Sequence, residues 1–154
     1  MHIVLVEPEI PQNTGNIART CAATGSFLHL IKPLGFSLED RYLKRAGLDY
    51  WSLVKVQEHQ NFADLRKTYA AHTFYYASTK GARRYTDVSY QCNDFLVFGK
   101  ETKGLPEDLI SQNKSFCIRI PMTADTSNRS LNLANAVAVV IYEALRQQGF
   151  SCMI

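Results

Sequence analysis

Phe95-Leu96-Val97-Phe98-Gly99-Lys100-Glu101-Thr102-Lys103-Gly104-Leu105-Pro106 is the stretch that decides the fold. Its unbroken apolar run reads as a strand buried on both faces. The glycine-bounded turn after it is polar, and Pro106 stands at the favoured first position of a one- to two-turn helix. The same order of strand, loop and helix recurs on either side. Upstream, His2 to Glu7 is a mostly β-branched strand ended by Pro8 and Pro11. Asn13 or Thr14 can cap a helix running to Thr24, with Gly25 as its C′ residue. Phe27 to Ile31 is a second apolar strand, and a short helix begins at Ser37 and stops at Gly47. A short strand over Leu53 to Val56, a helix over Phe62 to Ala71 and a strand over Thr73 to Ala77 complete that half. Downstream, Phe116 to Ile120 is the last strand and Ser130 to Gln148 the longest helix, ended by Gly149. Such alternation predicts an α/β fold, a mostly parallel sheet with helices on both faces.

Composition narrows the class. The chain has 154 residues, 46% of them apolar and 20% charged, which suits one domain and excludes intrinsic disorder. Its longest apolar run is Ala136 to Tyr142, far short of a membrane span. The start lacks a basic region ahead of its apolar stretch, so a soluble, cytoplasmic protein with no membrane partner is expected. Net charge is +3, compatible with a polyanionic partner without requiring one. Cys21, Cys92, Cys117 and Cys152 lie far apart and read as reduced thiols. His2, His29, His59 and His72 are scattered as well, so no metal site is expected.

Three strands end in loops unlike ordinary turns: Ser78-Thr79-Lys80-Gly81, Gly99 to Gly104, and Pro121 to Arg129. In a parallel sheet, ligands bind beyond the carboxyl ends of the strands, which makes these loops a candidate site. A further candidate is Glu7-Pro8-Glu9-Ile10-Pro11-Gln12-Asn13-Thr14-Gly15-Asn16-Ile17-Ala18-Arg19. It reads as a strand end, a proline turn and a helix start, with Asn16 and Arg19 able to share a face. Helix-start amides plus an arginine form a phosphate-competent corner; a capped helix with an exposed arginine is an equal reading of the same residues. The last helix is apolar on nearly every face from Leu133 to Leu145, which suits either a helix running through the centre of the fold or, the favoured reading in a small domain, one that is half core and half subunit interface.

The first segment, together with Phe98 to Pro106, Ile120-Pro121-Met122 and Arg129-Ser130-Leu131-Asn132-Leu133-Ala134-Asn135-Ala136, resembles the three motifs of the SPOUT superfamily of RNA methyltransferases. With Arg45-Ala46-Gly47-Leu48-Asp49-Tyr50-Trp51, the chain is similar to the smallest branch, the single-domain tRNA (cytidine/uridine-34) ribose 2′-O-methyltransferases. The resemblance spans essentially residues 1–154 as one domain. It implies a six-stranded α/β fold with a C-terminal deep trefoil knot, where general topology alone favours an unknotted sheet. It also implies a homodimer, S-adenosylmethionine as cofactor with no metal, and the anticodon stem-loop of tRNA as partner. Carried over residue by residue, Arg19 and Asn13 are the catalytic candidates. The cofactor would be held by Ser78, Thr79, Gly99, Glu101, Gly104, Ile120, Met122, Ser130, Leu131, Asn132 and Ala136. Asn16, Lys44, Arg45, Lys80, Arg83, Arg84, Arg129 and Tyr142 are candidates for contact with RNA or the partner subunit, a solvated loop face being an equal reading of Lys80, Arg83 and Arg84. For Tyr142, a core tyrosine is an equal reading. Lys100, Lys103 and Ala134 depart from the pattern common in relatives. The competing functional reading is a knotted RNA-binding protein that has lost catalysis, against which stands the intact set Asn13, Arg19, Glu101, Ser130 and Asn132. Methylation at a different RNA position is a third.

Overall fold

The structure is a computed structural model and describes residues 1–38, 51, 53–123, 130–151 and 153–154. Its strands are β1 (His2–Val6), β2 (Phe27–Ile31), β3 (Val56–His59), β4 (Phe74–Ala77), β5 (Arg83–Arg84), β6 (Phe95–Phe98) and β7 (Cys117–Arg119). Between them run α1 (Pro11–Thr24), α2 (Phe62–Thr68) and α3 (Glu107–Gln112), with α4 (Leu133–Gln147) near the end. All seven strands join one sheet in the order β3-β2-β1-β6-β4-β7-β5. Every strand pairing is parallel, with His2 opposite both Phe27 and Phe95.

Alternation along the strands sorts side chains into two cores. Ile3, Leu5, Leu96 and Phe98 face α1 and α4, where they meet Ile17, Cys21, Val137 and Ile141. Val4, Val6, Phe95 and Val97 face the opposite side, where Leu65 of α2 and Leu109 and Ile110 of α3 cover them. Ile3, Leu5 and Leu96 are fully buried, each stabilising the fold by about 1.5–3 kcal/mol. Gly25 takes the left-handed conformation that ends α1, as its position in the sequence predicts.

Several sequence expectations are corrected. Among the described residues the sheet has seven strands, not six, because Arg83–Arg84 pairs with the outer side of β7. Both arginines are exposed, so this edge strand has no apolar signature. Its approach is held by the Arg119 guanidinium, which donates to the carbonyls of Gly81 at 2.7 Å and Ala82 at 2.9 Å. The third strand is Val56–His59 rather than Leu53 to Val56: Leu53 is 70% exposed, and the register places Val56 opposite Leu28. The last strand begins at Cys117, since Phe116 belongs to a 3₁₀ turn. α1 begins at Pro11 with Ile10 as its N-cap, so Asn13 and Thr14 lie inside the first turn and neither side chain caps it. α2 stops at Thr68 and α4 begins only at Leu133, after Asn132. The helix expected from Ser37 to Gly47 falls almost wholly outside the described residues. Among those residues no helix is long and apolar enough to cross a membrane.

Candidate cofactor and active site

Because the strands are parallel, β4, β6 and β7 deliver their three following loops to the same edge of the sheet. There the loops enclose a cleft of about 550 Å³, within the usual size of a small-molecule or cofactor site. Ser78, Thr79 and Lys80 come from the loop after β4, and Gly99 to Leu105 from the loop after β6. Ile120 and Met122 follow β7, and Ser130, Leu131 and Asn132 lead into α4, which adds Ala136 and Val140. Asn13 and Ile10 reach the cleft from the start of α1. All eleven residues expected to hold the cofactor therefore line one cavity, and Asn13 joins them.

The loop after β6 crosses itself closely. A Cβ on Gly99 would stand 2.0 Å from the Gly104 carbonyl carbon and 2.1 Å from the Leu105 nitrogen. The loop closes where the Gly104 N–H donates to the Lys100 carbonyl at 2.8 Å, with Gly104 at φ +70°. It is then stitched to the turn after β1. Lys100 Nζ pairs with Glu7 Oε2 at 2.7 Å, a half-buried ion pair in which Glu7 raises the lysine's pKa by hydrogen bonding. Thr102 donates from its N–H and its Oγ1 to Glu9 Oε2, at 3.2 and 2.7 Å. Glu7 holds a left-handed φ of 51°, which costs a non-glycine residue about 1 kcal/mol.

Glu101 lines the cleft, but its carboxylate is occupied by α1. It accepts from the Glu9 N–H at 2.8 Å, the Ile10 N–H at 3.2 Å and Asn13 Nδ2 at 3.0 Å. Asn132 Nδ2 donates to Asn13 Oδ1 at 2.9 Å, and Asn132 Oδ1 caps α4 through the Ala134 and Asn135 N–H groups. Sequence spacing gave no sign of these stitches, which join residues 88 to 119 positions apart. Leu105, Ile120, Met122 and Leu131, the residues expected to sandwich a flat heterocycle, are among the apolar residues lining the cleft. Lys103, one of the departures from the family pattern, also lines the cavity, as do Ile110 and Glu107 of α3, which no sequence motif marks.

The remaining candidates lie around this cleft. Asn16 and Arg19 are exposed on α1, at three-residue spacing from Asn13, and lie outside the cleft lining. Lys80 lines the cleft and pairs with Glu107 at 2.9 Å, which lowers that carboxylate's pKa. Arg83 and Arg84 are exposed on β5, Arg83 donating to the Asp87 carbonyl at 2.7 Å. Tyr142 is 44% exposed on the outer face of α4, which excludes a core tyrosine. Val139 is exposed beside it, so α4 presents an apolar pair on its outer face, between exposed Asn135 and Arg146. Lys44, Arg45 and Arg129 lie outside the described residues.

A parallel α/β domain with a polar, glycine-bounded cleft at the carboxyl ends of three adjacent strands, next to a helix start, belongs to the class of α/β folds whose small-molecule site lies at that edge of the sheet. The SpoU rRNA methylase family model matches residues 1–142, and the chain belongs to that family. It is 53% identical to the tRNA (cytidine(34)-2'-O)-methyltransferase of Yersinia pestis over 160 residues, covering 97% of this chain and 95% of that one. A solved structure described as giving insights into the 2-OH methylation of C/U34 on tRNA superposes with a TM-score of 0.91 at 45% identity, covering 97% of this chain and 96% of that one. An AdoMet-bound rRNA methyltransferase from Sinorhizobium meliloti superposes at 0.82 with 26% identity, covering 94% of this chain and 55% of that one.

Proposed function

We propose that this protein transfers the methyl group of S-adenosylmethionine to the ribose 2′-hydroxyl of the wobble nucleotide, cytidine or uridine 34, of tRNA. The observation that carries the reading is the convergence of all three motif loops on one cleft beside α1. It is supported by full-length relatives named for that reaction. The cavity's size and its mixture of strand-end backbone groups and apolar faces fit an adenosyl cofactor. When bound, S-adenosylmethionine supplies an electrophilic methyl on a good leaving group, so alignment is the larger part of catalysis. Leu105, Ile120, Met122 and Leu131 would hold the cofactor's adenine, and the loops after β4 and β6 would offer N–H and C=O groups to its edge. The residues of this chain have then to align the ribose 2′-hydroxyl with that methyl and let the hydroxyl proton pass to phosphate or water.

Arg19 is the residue assigned to the nucleotide. A guanidinium has five donors and no acceptor, so it grips a phosphate and polarises a hydroxyl rather than removing a proton. Arg19→Lys is expected to lower turnover at least about tenfold, because one ammonium cannot reproduce the planar fork. Near-normal single-turnover rates for that variant would remove this role.

Further parts of the reading go with the same family. Exposed Val139 and Tyr142 suit a homodimer through α4. The position of β4 between β6 and β7, with α3 and α4 on opposite faces, suits a C-terminal trefoil knot. Arg83, Arg84 and Lys80 suit contact with an anticodon stem-loop, and a tRNA substrate goes with a cytoplasmic site of action. One single-domain enzyme over residues 1–154 accommodates all of these.

The deciding experiment incubates the protein with S-adenosylmethionine and tRNA from cells lacking the activity, then maps ribose methylation by nuclease digestion and mass spectrometry. One new 2′-O-methyl group at position 34 is expected. Methylation elsewhere overturns the target, and bound cofactor without methylation overturns the activity.

A further inference from the structure

We infer that Glu101, Asn13 and Asn132 are positioning residues: a hydrogen-bond chain of fixed polarity that locks the start of α1 against the cleft. The inference deepens the proposed reaction and rests on it for its turnover readout. α1 has no capping side chain of its own and no acidic residue in its first turn. Its positive end is nevertheless met by a carboxylate, that of Glu101, delivered from the loop after β6. A carboxylate only accepts, so Asn13 must turn its Nδ2 toward Glu101 and its Oδ1 away. Oδ1 then requires a donor, and Asn132 supplies Nδ2. That leaves Asn132 Oδ1 for the first N–H groups of α4, where an acceptor is needed.

Both ends of the chain thus dictate the same orientation for the amide between them. Asn13 is 6% exposed, so water does little to compensate a mismatch there. The chain joins the cleft wall at Glu101 to the helix that carries Asn16 and Arg19, fixing where that helix face sits relative to a bound methyl donor. Misplacement of about 1 Å in such an arrangement costs about 100-fold in rate.

Polarity can be tested by reversing it. Glu101→Gln places an amide among three donors, so whichever way it turns one donor meets another. Asn132→Asp keeps the cap on α4 but sets carboxylates on both sides of Asn13, which has one NH₂ group to offer. The double variant Glu101→Gln/Asn132→Asp re-forms the chain the other way round. The new carboxylate at 132 accepts from Asn13 Nδ2, and Asn13 Oδ1 accepts from the new amide at 101. The amide oxygen at 101 still accepts from the Glu9 N–H, while its NH₂ group faces the Ile10 N–H; that contact, the longest of the three and exposed, passes to water instead.

The variants are compared by kcat at saturating S-adenosylmethionine and tRNA, by calorimetric S-adenosylmethionine affinity and by melting midpoint. Each single variant is expected to lose about 100-fold in kcat, and the double to return within about tenfold of the unaltered protein. A double variant no better than the worse single overturns the relay, as does near-normal kcat for Glu101→Gln. If the single variants fold poorly, the melting midpoints decide: a double above both singles supports the relay, and one at or below the lower overturns it. Should the unaltered protein fail to methylate position 34, the functional reading fails, while cofactor affinity and melting midpoint still test the relay.

Discussion

Gly99→Ala is expected to destabilise the protein by about 3–5 kcal/mol and to abolish S-adenosylmethionine binding. Gly99 is buried where the chain passes over the end of its own loop, and every near neighbour of an added Cβ is backbone, the closest at 2.0 Å. No rotamer change relieves a contact with backbone, so relief requires moving Gly104 and Leu105. That movement breaks the Gly104 N–H to Lys100 carbonyl bond and shifts Glu101 away from α1. Gly104→Ala is the informative comparison. It meets nothing within 4 Å but must hold φ +70°, so it costs only about 1–2 kcal/mol. Denaturant unfolding with cofactor titration checks both variants. A Gly99→Ala protein as stable as Gly104→Ala would show that the crossing yields more readily than its geometry implies.

Acid is expected to weaken the protein from about pH 6.5 downward, above the carboxylate range, because of a row of histidines across β1, β2 and β3. His2 Nδ1 lies 2.9 Å from His29 Nε2, and His29 Nδ1 lies 3.0 Å from His59 Nε2. Neutral rings satisfy this row with one N–H each, running in either direction. His29 is fully buried, and burial followed by the charges of His2 and His59 lowers its pKa from 6.5 to about 3. Burial, the N-terminal amine and His72 lower that of His2 to about 4, and burial lowers His59 as well. Between these values and 6.5 the unfolded chain binds protons that the folded one refuses. Stability is therefore full above about pH 6.5 and falls as pH drops toward 4 and then 3. From pH 8 to pH 5 the loss is about 2 kcal/mol for each of His2 and His29. Asp94, whose carboxyl burial raises, acts in the opposite direction and softens the slope. Urea midpoints from pH 8 to pH 5, with imidazole resonances followed by NMR, check this. A His29 resonance titrating near 6.5 would contradict it.

This row also shows where sequence reading stops. His2, His29 and His59 are 27 to 30 positions apart and read as scattered, yet parallel pairing sets them side by side. Arg83–Arg84 reads as a basic loop rather than a strand for a related reason, since an edge strand of two charged residues is defined by its partner β7 and has no pattern of its own. Asn13 read as a helix cap by residue type, but Pro11 starts the helix earlier and turns that side chain toward Glu101.

By itself, the sequence determined the alternation of buried strands and helices, the parallel sheet, the family and the membership of the cleft. Apolar runs, Gly–Pro punctuation and three motifs are local signals, and parallel connection brings strand ends to one edge whatever the detail. Tertiary structure alone decided the direction in which Glu101 points, the stitching of its loop to Glu7 and Glu9, and the neutral histidine row. Each of these depends on hydrogen bonds between distant segments, whose donors and acceptors acquire partners only when the sheet has assembled.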